Sequence, residues 1–275
     1  MNRQEVFKKM NSPIGIFDSG IGGLTVVKEL FRQVPYENII YFGDTARVPY
    51  GTKSDSTVIR FSLENILFLL RQQVKLIVVA CNTSSSIALP QIRRHFRIPI
   101  IGVIQPSAKE AVYATKNKRV GVIGTPATIK SHAYEKEIKQ LDPKVNVLSF
   151  ACPLFVPLVE EGWLKEKATF DVAKKYLSPL KKADIDTLIL GCTHYPLLKA
   201  VIRKIIGKDI NLIDSANQVA QEVKQILSTQ GLSSSIKKTH PRHIFYVSDE
   251  PLSFARLAKR FLGYPLTCVK RIENI

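Results

Sequence analysis

Two apolar segments of the chain end in the same way, and this repeat constrains the fold more than any other feature. Residues 76–80 (Leu-Ile-Val-Val-Ala) run into Cys81, and residues 188–191 (Leu-Ile-Leu-Gly) run into Cys192, 111 residues further on. Both runs lack the alternation of apolar and polar residues that marks a half-buried strand. They are typical of strands in a parallel sheet that is covered on both faces. The sequence therefore predicts two similar strands, each ending in a thiol.

A second repeat supports a duplicated structure. Residues 15–20 (Gly-Ile-Phe-Asp-Ser-Gly) resemble residues 121–126 (Gly-Val-Ile-Gly-Thr-Pro) at an offset of 106. Two matches in the same order, at nearly the same offset, indicate two related units. In open parallel sheets, ligands bind outside the carboxyl ends of the strands. Asp18, Cys81, Thr125 and Cys192 are all predicted at such ends, so the two thiols are expected to meet across one cleft.

Short Val- and Ile-rich runs alternate with amphipathic stretches along the whole chain, which favours an α/β fold. Strands are predicted at residues 14–17, 38–42, 76–80, 100–103, 120–123, 145–149, 188–190, 210–213 and 244–247. Helices are predicted at residues 24–32, 56–72, 129–140, 216–229 and 252–261, and an exposed loop at 231–238. We expect two similar parallel-sheet α/β domains related by pseudo-symmetry, with the active site in the cleft between them. The first would comprise residues 1–104 plus 216–275, and the second residues 105–215.

Composition excludes several classes of function. The net charge is +17, but the basic residues are scattered and form no stripe, which favours a solvated basic surface over a nucleic-acid site. The four cysteines form no CxxC pair and no zinc-finger spacing, which counts against a thiol redox protein or a structural zinc site. The apolar runs fall far short of a membrane span, and no secretory signal precedes them. We therefore expect a cytoplasmic protein with free thiols and no membrane partner.

The residues around the two cysteines indicate acid–base chemistry. A cysteine just before a helix sees the positive end of the helix dipole, which favours the thiolate, although a single buried cysteine is more often inert. His194 follows Cys192 closely enough to hold or relay its proton. Asp18, in a glycine-rich turn, is a candidate to orient a thiol or to contact an ammonium group. A thiol on each face of one carbon is what inversion of a stereocentre requires.

Five segments, taken in order, resemble the glutamate racemases. They are residues 18–26 (Asp-Ser-Gly-Ile-Gly-Gly-Leu-Thr-Val), 43–51 (Gly-Asp-Thr-Ala-Arg-Val-Pro-Tyr-Gly), 80–83 (Ala-Cys-Asn-Thr), 152–162 (Cys-Pro-Leu-Phe-Val-Pro-Leu-Val-Glu-Glu-Gly) and 191–197 (Gly-Cys-Thr-His-Tyr-Pro-Leu). The resemblance implies interconversion of L- and D-glutamate without cofactor or metal, which supplies D-glutamate for peptidoglycan. It also implies two α/β domains, the first of which is completed by the end of the chain.

The resemblance assigns roles to particular residues. Cys81 and Cys192 would serve opposite faces of the α-carbon, assisted by Asp18 and His194 respectively. A glutamate of the fourth segment is also implicated; it aligns with Glu160, and the adjacent Glu161 is the alternative. The implied substrate-binding residues are Asp18, Ser19, Tyr50, Gly51, Asn82, Thr83, Thr125, Thr193 and His194. The expected partners are glutamate and a second copy of the chain, in a homodimer.

Two other readings of the sequence remain. An aspartate racemase-type enzyme would share the paired cysteines, although the segments at 18–26 and 49–51 favour glutamate. A non-catalytic protein that binds nucleic acid or DNA gyrase is the other; some members of the family inhibit gyrase, but nothing in this sequence supports it. The presence of Cys81, Cys192, Asp18 and His194 argues against loss of activity.

Overall fold

Two parallel β-sheets form the framework of the protein. The computed structural model describes residues 10–236 and 241–273, so the last part of the loop predicted at 231–238 lies outside the described residues. One sheet has six strands in the order β10-β9-β2-β1-β3-β4, and the other has four in the order β6-β5-β7-β8. The strands are β1 Ile14–Asp18, β2 Ile39–Gly43, β3 Leu76–Val79, β4 Ile100–Gly102, β5 Arg119–Gly124, β6 Asn146–Ala151, β7 Thr187–Gly191, β8 Asn211–Asp214, β9 His243–Val247 and β10 Val269–Arg271.

Helices cover the faces of both sheets. They are α1 Leu24–Gln33, α2 Asp55–Arg71, α3 Asn82–Ile87, α4 Leu89–Ile92, α5 Ile104–Ala114, α6 Pro126–Lys130, α7 Ala133–Leu141, α8 Phe155–Glu161, α9 Lys167–Lys182, α10 Lys199–Ile206, α11 Ser215–Thr229 and α12 Pro251–Leu262. Short 3₁₀ turns occur at Thr45–Arg47, Tyr50–Thr52, Arg93–His95 and Tyr195–Leu198. The predicted α/β class with parallel sheets is confirmed.

The two sheets share one strand order, which accounts for the sequence repeats. The order β2-β1-β3-β4 in the first sheet corresponds to β6-β5-β7-β8 in the second. The packing corresponds as well: a Cβ on Gly15 of β1 would lie 3.0 Å from Val74, and a Cβ on Gly121 of β5 would lie 2.6 Å from Ile185. Val74 and Ile185 each precede the cysteine-bearing strand by two residues. The same close packing of a strand glycine against the segment that leads into the cysteine-bearing strand is therefore built twice.

The apolar strands form the core, as their sequences indicate. All five residues of β1 and all five of β7 are buried, because helices cover both faces of a parallel sheet. One buried cluster contains residues of both sheets. Helix α11 packs against α1, which covers the first sheet, and against α5, which leads into the second. The two halves of the molecule therefore share part of their core.

Three local features differ from, or refine, the sequence prediction. The helix predicted at 129–140 is wrong as a single element, because His132 has a left-handed backbone (φ 54°) that separates α6 from α7. Pro90 restarts the helix after Ile87, since proline has no N–H to donate and is tolerated in a first turn. Strand β10 was not predicted, because Val-Lys-Arg is too short and polar to stand out; it pairs with β9 at the sheet edge. Across the described ranges, no helix combines the length and apolar character needed to span a bilayer.

Candidate active site

The carboxyl ends of the strands from both sheets converge on one small cavity. Cys81 follows β3 and precedes α3, and Cys192 follows β7, so each sheet contributes one sulfur. The cavity is lined by Ser19, Val48, Pro49, Tyr50, Gly51, Cys81, Asn82, Thr83, Thr125, Val156, Cys192, Thr193 and His194. Asp18 and Glu160 do not line it, but Asp18 contacts Thr193 and Glu160 contacts His194, and both of these residues do. The structure thus brings together residues that lie far apart in sequence, and it adds Val48, Pro49 and Val156.

Cys81 is held as a buried thiol. Its side chain is 5 % exposed and its Sγ lies 3.6 Å from Ser19 Oγ. Burial, and after it the nearby charge of Asp18, raises the pKa of the Cys81 thiol to about 11. Contacts with Ser84 and Ser19 offset part of that rise. As a protonated thiol, Cys81 is therefore suited to give a proton.

Cys192 has a histidine partner instead. His194 Nδ1 lies 3.8 Å from Cys192 Sγ, and His194 Nε2 lies 2.9 Å from Glu160 Oε1. Burial alone would lower the pKa of His194, but its hydrogen bonds with Cys192 and Glu160 raise it to about 10, from an ordinary value of 6.5. An imidazolium next to a sulfur stabilises negative charge there. Cys192 is therefore suited to take a proton.

Asp18 is enclosed at the end of β1. One carboxylate oxygen accepts the Gly20 N–H at 3.0 Å, and the other lies 3.5 Å from Thr193 Oγ1. Burial raises the pKa of Asp18, and the positive charge of His194 offsets part of that rise. In the turn that follows, position 22 must be glycine, because a Cβ there would overlap Thr193 Oγ1. The first sheet's glycine-rich turn thus packs directly on the residues that follow Cys192.

Three threonine hydroxyls join the two halves beside the cavity. Thr83 Oγ1 lies 3.0 Å from Thr125 Oγ1 and 3.2 Å from Thr128 Oγ1, and the last two are 2.9 Å apart. Thr83 follows Cys81 in the first half, whereas Thr125 caps the N-terminus of α6 in the second. Gly51 packs against the same group, since a Cβ there would lie 2.7 Å from Thr125 Cβ. Hydroxyls arranged in this way can turn to donate to an incoming carboxylate.

Tyr50 uses its hydroxyl away from the cavity. The hydroxyl donates to Asp44 and accepts from Asn65 Nδ2 at 3.1 Å. Asp44 is fully buried and also binds Arg47 Nε at 2.7 Å. Tyr50 therefore lines the cavity while its hydroxyl is occupied by Asp44 and Asn65.

The side chain of Asn82 carries an unpaired donor. Asn82 is 2 % exposed, and its Nδ2 has no hydrogen-bond partner. Its Oδ1 accepts from the hydroxyl of Tyr134 at 2.7 Å. Buried N–H groups without a partner are rare in folded proteins and call for an explanation. Tyr134 lies within helix α7, where nothing in the sequence sets it apart, so sequence reasoning missed it.

Two further observations bear on the chemistry. Among the residues that the structure describes, no three His, Cys, Asp or Glu side chains converge as a metal site would require. A larger cavity, of about 500 Å³, lies between α4 and α7, but no cysteine lines it. We therefore take the smaller cavity, which contains both thiols and His194, as the candidate reaction site.

Comparison with known proteins agrees with this fold. The family model described as Asp/Glu/Hydantoin racemase matches residues 14–223. The chain belongs to this family of racemases. Within it, the chain is similar to proteins named glutamate racemase.

One such relative is the glutamate racemase of Geobacter metallireducens, which is 52 % identical over 260 residues, or 94 % of this chain and 96 % of the relative. The structure of glutamate racemase isoform RacE1 from Bacillus anthracis superposes with a TM-score of 0.92 at 42 % identity, covering 96 % of this chain and 98 % of that one. The structure of Francisella tularensis glutamate racemase in complex with D-glutamate gives a TM-score of 0.90 at 42 % identity, with the same two coverages.

Proposed function

We propose that this protein is a glutamate racemase that interconverts L- and D-glutamate with two cysteines and no cofactor. The observation that carries the proposal is that Cys81 and Cys192 line one cavity, each from the matching position of a different sheet. The similarity to glutamate racemases over nearly the whole chain supports glutamate as the substrate.

Racemisation needs a base on one face of the α-carbon and an acid on the other. With L-glutamate bound, the Cys192 thiolate takes the α-proton, and the electron pair of the broken C–H bond delocalises into the adjacent carboxylate. The Cys81 thiol then gives its proton to the opposite face, which yields D-glutamate. Cys81 is left as the thiolate and Cys192 as the thiol, so the same steps run backwards from D-glutamate. The assignment of Cys192 to L-glutamate and Cys81 to D-glutamate follows the family analogy.

The environments of the two sulfurs match this division of roles. His194 and Glu160 provide the positive charge and hydrogen bonds that favour a thiolate at Cys192. Burial and the charge of Asp18 keep the proton on Cys81. We propose that Asp18 assists Cys81, because a change in the protonation of this buried carboxylate would lower the cost of the Cys81 thiolate.

The α-proton of an amino acid is a very weak acid, so the carbanion-like transition state must be stabilised. Hydrogen bonds to the substrate carboxylate do this best in a site that excludes water. We propose that the following residues bind the substrate: Asp18, Ser19, Tyr50, Gly51, Asn82, Thr83, Thr125, Thr193 and His194. Tyr50 and Gly51 would do so through their backbone.

Substrate entry requires the cavity to widen. Its volume of about 30 Å³ has room for roughly two water molecules, whereas glutamate is several times larger. We propose that two units, residues 1–104 plus 216–275 and residues 105–215, move apart to admit it. We further propose that the protein acts in the cytoplasm as a homodimer, in the supply of D-glutamate for peptidoglycan.

The test is a circular dichroism assay of the purified protein with L- and with D-glutamate. The protein is first treated with EDTA and hydroxylamine, and nothing is added back. The optical signal of both enantiomers should decay to zero. Loss of activity that returned on addition of metal or pyridoxal phosphate would refute the cofactor-free mechanism, and faster turnover of aspartate than of glutamate would favour the aspartate racemase reading.

A further inference from the structure

The amide of Asn82 has one end fixed and the other end free. Its Oδ1 accepts the Tyr134 hydroxyl at 2.7 Å, and its Nδ2 has no partner although the residue is buried against the cavity. An unpaired buried N–H costs free energy. An anionic oxygen placed in the cavity would pair this donor. The free end of the amide therefore points to recognition of a carboxylate.

The direction of the Tyr134 hydrogen bond is set by its neighbours. Tyr134 is 2 % exposed, and its hydroxyl lies 3.3 Å from Ser215 Oγ. Ser215 Oγ itself lies 3.3 Å from the carbonyl of Leu190, which can only accept. When Ser215 donates to that carbonyl, the single proton of Tyr134 is left to donate to Asn82 Oδ1. The NH₂ group of Asn82 is then the end of the amide that is left for a ligand in the adjoining cavity.

We propose that Tyr134 is a positioning residue for the reaction: it holds the Asn82 amide in the one orientation that donates to the substrate α-carboxylate. This inference rests on the proposed glutamate racemase function. Asn82 directly follows Cys81, and both residues line the cavity in which the α-carbon would lie. The α-carboxylate is the group that gathers negative charge when the α-proton leaves.

The orientation of the amide decides whether it helps or opposes the reaction. With NH₂ toward the carboxylate, the contact strengthens as charge develops in the transition state. With the amide reversed, Oδ1 would face the same negative charge. The two orientations of a free amide differ little in energy, so a fixed partner on the opposite side is needed to select one. Tyr134 supplies it from helix α7 of the second half of the molecule to a residue of the first.

The test begins with Tyr134→Phe, which removes one oxygen and keeps the ring. We expect kcat/KM for glutamate to fall by roughly 5- to 150-fold, the range for a lost partner of a buried polar group. Tyr176→Phe is the control, because this tyrosine lies in the same half and its hydroxyl bonds the backbone of Leu154 rather than Asn82; it should change kcat/KM by less than about twofold. Equal kcat/KM in wild type and Tyr134→Phe would overturn the proposal.

A double-mutant cycle separates positioning from simple packing. If Tyr134 acts only through Asn82, then Tyr134→Phe should have little further effect on kcat/KM in an Asn82→Ala background. Independent, multiplying effects of the two substitutions would overturn the proposal, even if Tyr134→Phe alone were impaired. A wild-type protein that does not racemise glutamate would instead refute the proposed function.

A second variant keeps the proposal testable should Tyr134→Phe fail to fold. Asn82→Asp retains an acceptor for the Tyr134 hydroxyl but replaces the free NH₂ by an oxygen. Binding of D-glutamate, measured by calorimetry on protein whose thermal unfolding is unchanged, should weaken by at least tenfold. Unchanged binding would overturn the claim that this NH₂ faces the carboxylate.

Discussion

The Glu160–His194 contact can be tested with Glu160→Gln. The substitution preserves the shape of the side chain and removes its charge. Glu160 Oε1 lies 2.9 Å from Nε2 of the nearly buried His194. The adjacent Glu161 is exposed, which makes Glu161→Gln a matched control at the next position of the same helix.

The expected magnitude follows from the exposure of the two partners. A hydrogen bond to a charged group is worth about 1.5–3 kcal/mol, and the side chain of Glu160 is 34 % exposed, so solvent screening favours the lower end. A loss of about 1.5 kcal/mol corresponds to a roughly tenfold fall in kcat/KM. The fall must be the same from L- and from D-glutamate, because the enantiomers have equal free energy in water.

The pH dependence should change as well. The pKa of His194 is raised from 6.5 to about 10, so its protonated form stabilises the folded protein fully below about pH 6.5, and this contribution is lost as the pH rises toward 10. In Glu160→Gln the pKa is lower, and the loss occurs at lower pH. The alkaline limb of the kcat/KM profile should therefore move to lower pH, because a neutral His194 no longer supports the Cys192 thiolate.

The assay is circular dichroism of glutamate over a series of pH values, for wild type and both variants. Glu161→Gln should retain the wild-type rate and profile. A tenfold loss of kcat/KM in Glu161→Gln with none in Glu160→Gln would show that Glu161, and not Glu160, is the functional glutamate. An unchanged alkaline limb in Glu160→Gln would show that the Glu160 carboxylate does not set the pKa of His194.

Three further predictions concern the thiols, the fold and the charge. Cys81→Ser and Cys192→Ser should each lower racemisation by roughly 10²- to 10⁴-fold. Cys81→Ser should still eliminate the leaving group from a β-substituted L-glutamate, and Cys192→Ser should do so from the D-enantiomer. If both variants preferred the same enantiomer, the thiols would not lie on opposite faces of the α-carbon. Lys75→Met should lower the free energy of unfolding by about 3–5 kcal/mol in urea titrations, because Glu37 would lose its buried partner at 2.5 Å. The double variant Lys75→Met with Glu37→Leu should recover most of that free energy. An unchanged free energy of unfolding in Lys75→Met would contradict the reasoning. Binding to duplex DNA should be weak and fall steeply with salt, since the net charge of +17 is dispersed; sub-micromolar, sequence-selective binding at physiological salt would contradict this.

The sequence predicts those parts of the fold that depend on local pattern. The Val- and Ile-rich runs mark the buried strands, and a polar residue directly after such a run, as at Cys81 and Cys192, marks the carboxyl edge where the cavity lies. Local pattern does not show what packs across the cleft. Tyr134 contributes its hydroxyl from the first turn of helix α7, and only the three-dimensional arrangement brings it to Asn82.

The sequence also does not show which of two neighbouring residues contacts the site. Glu160 and Glu161 are alike in type and adjacent, and the phase of helix α8 decides which one faces His194. The break between α6 and α7 depends on one left-handed residue, His132, which has no glycine or proline to signal it. These features are set by tertiary packing, which a single sequence does not display.

The six-stranded sheet has a consequence for the newly made chain. β9 pairs with β2, so that His243 lies beside Ile39 although some two hundred residues separate them. Until residues 243–247 leave the ribosome, one edge of the apolar β2 has no partner, whereas every strand of the four-stranded sheet has already been made. An open apolar strand edge is a template for pairing with other chains. Shortening the chain before β9 would leave that edge permanently exposed, and aggregation is the expected result even though both cysteines would be intact.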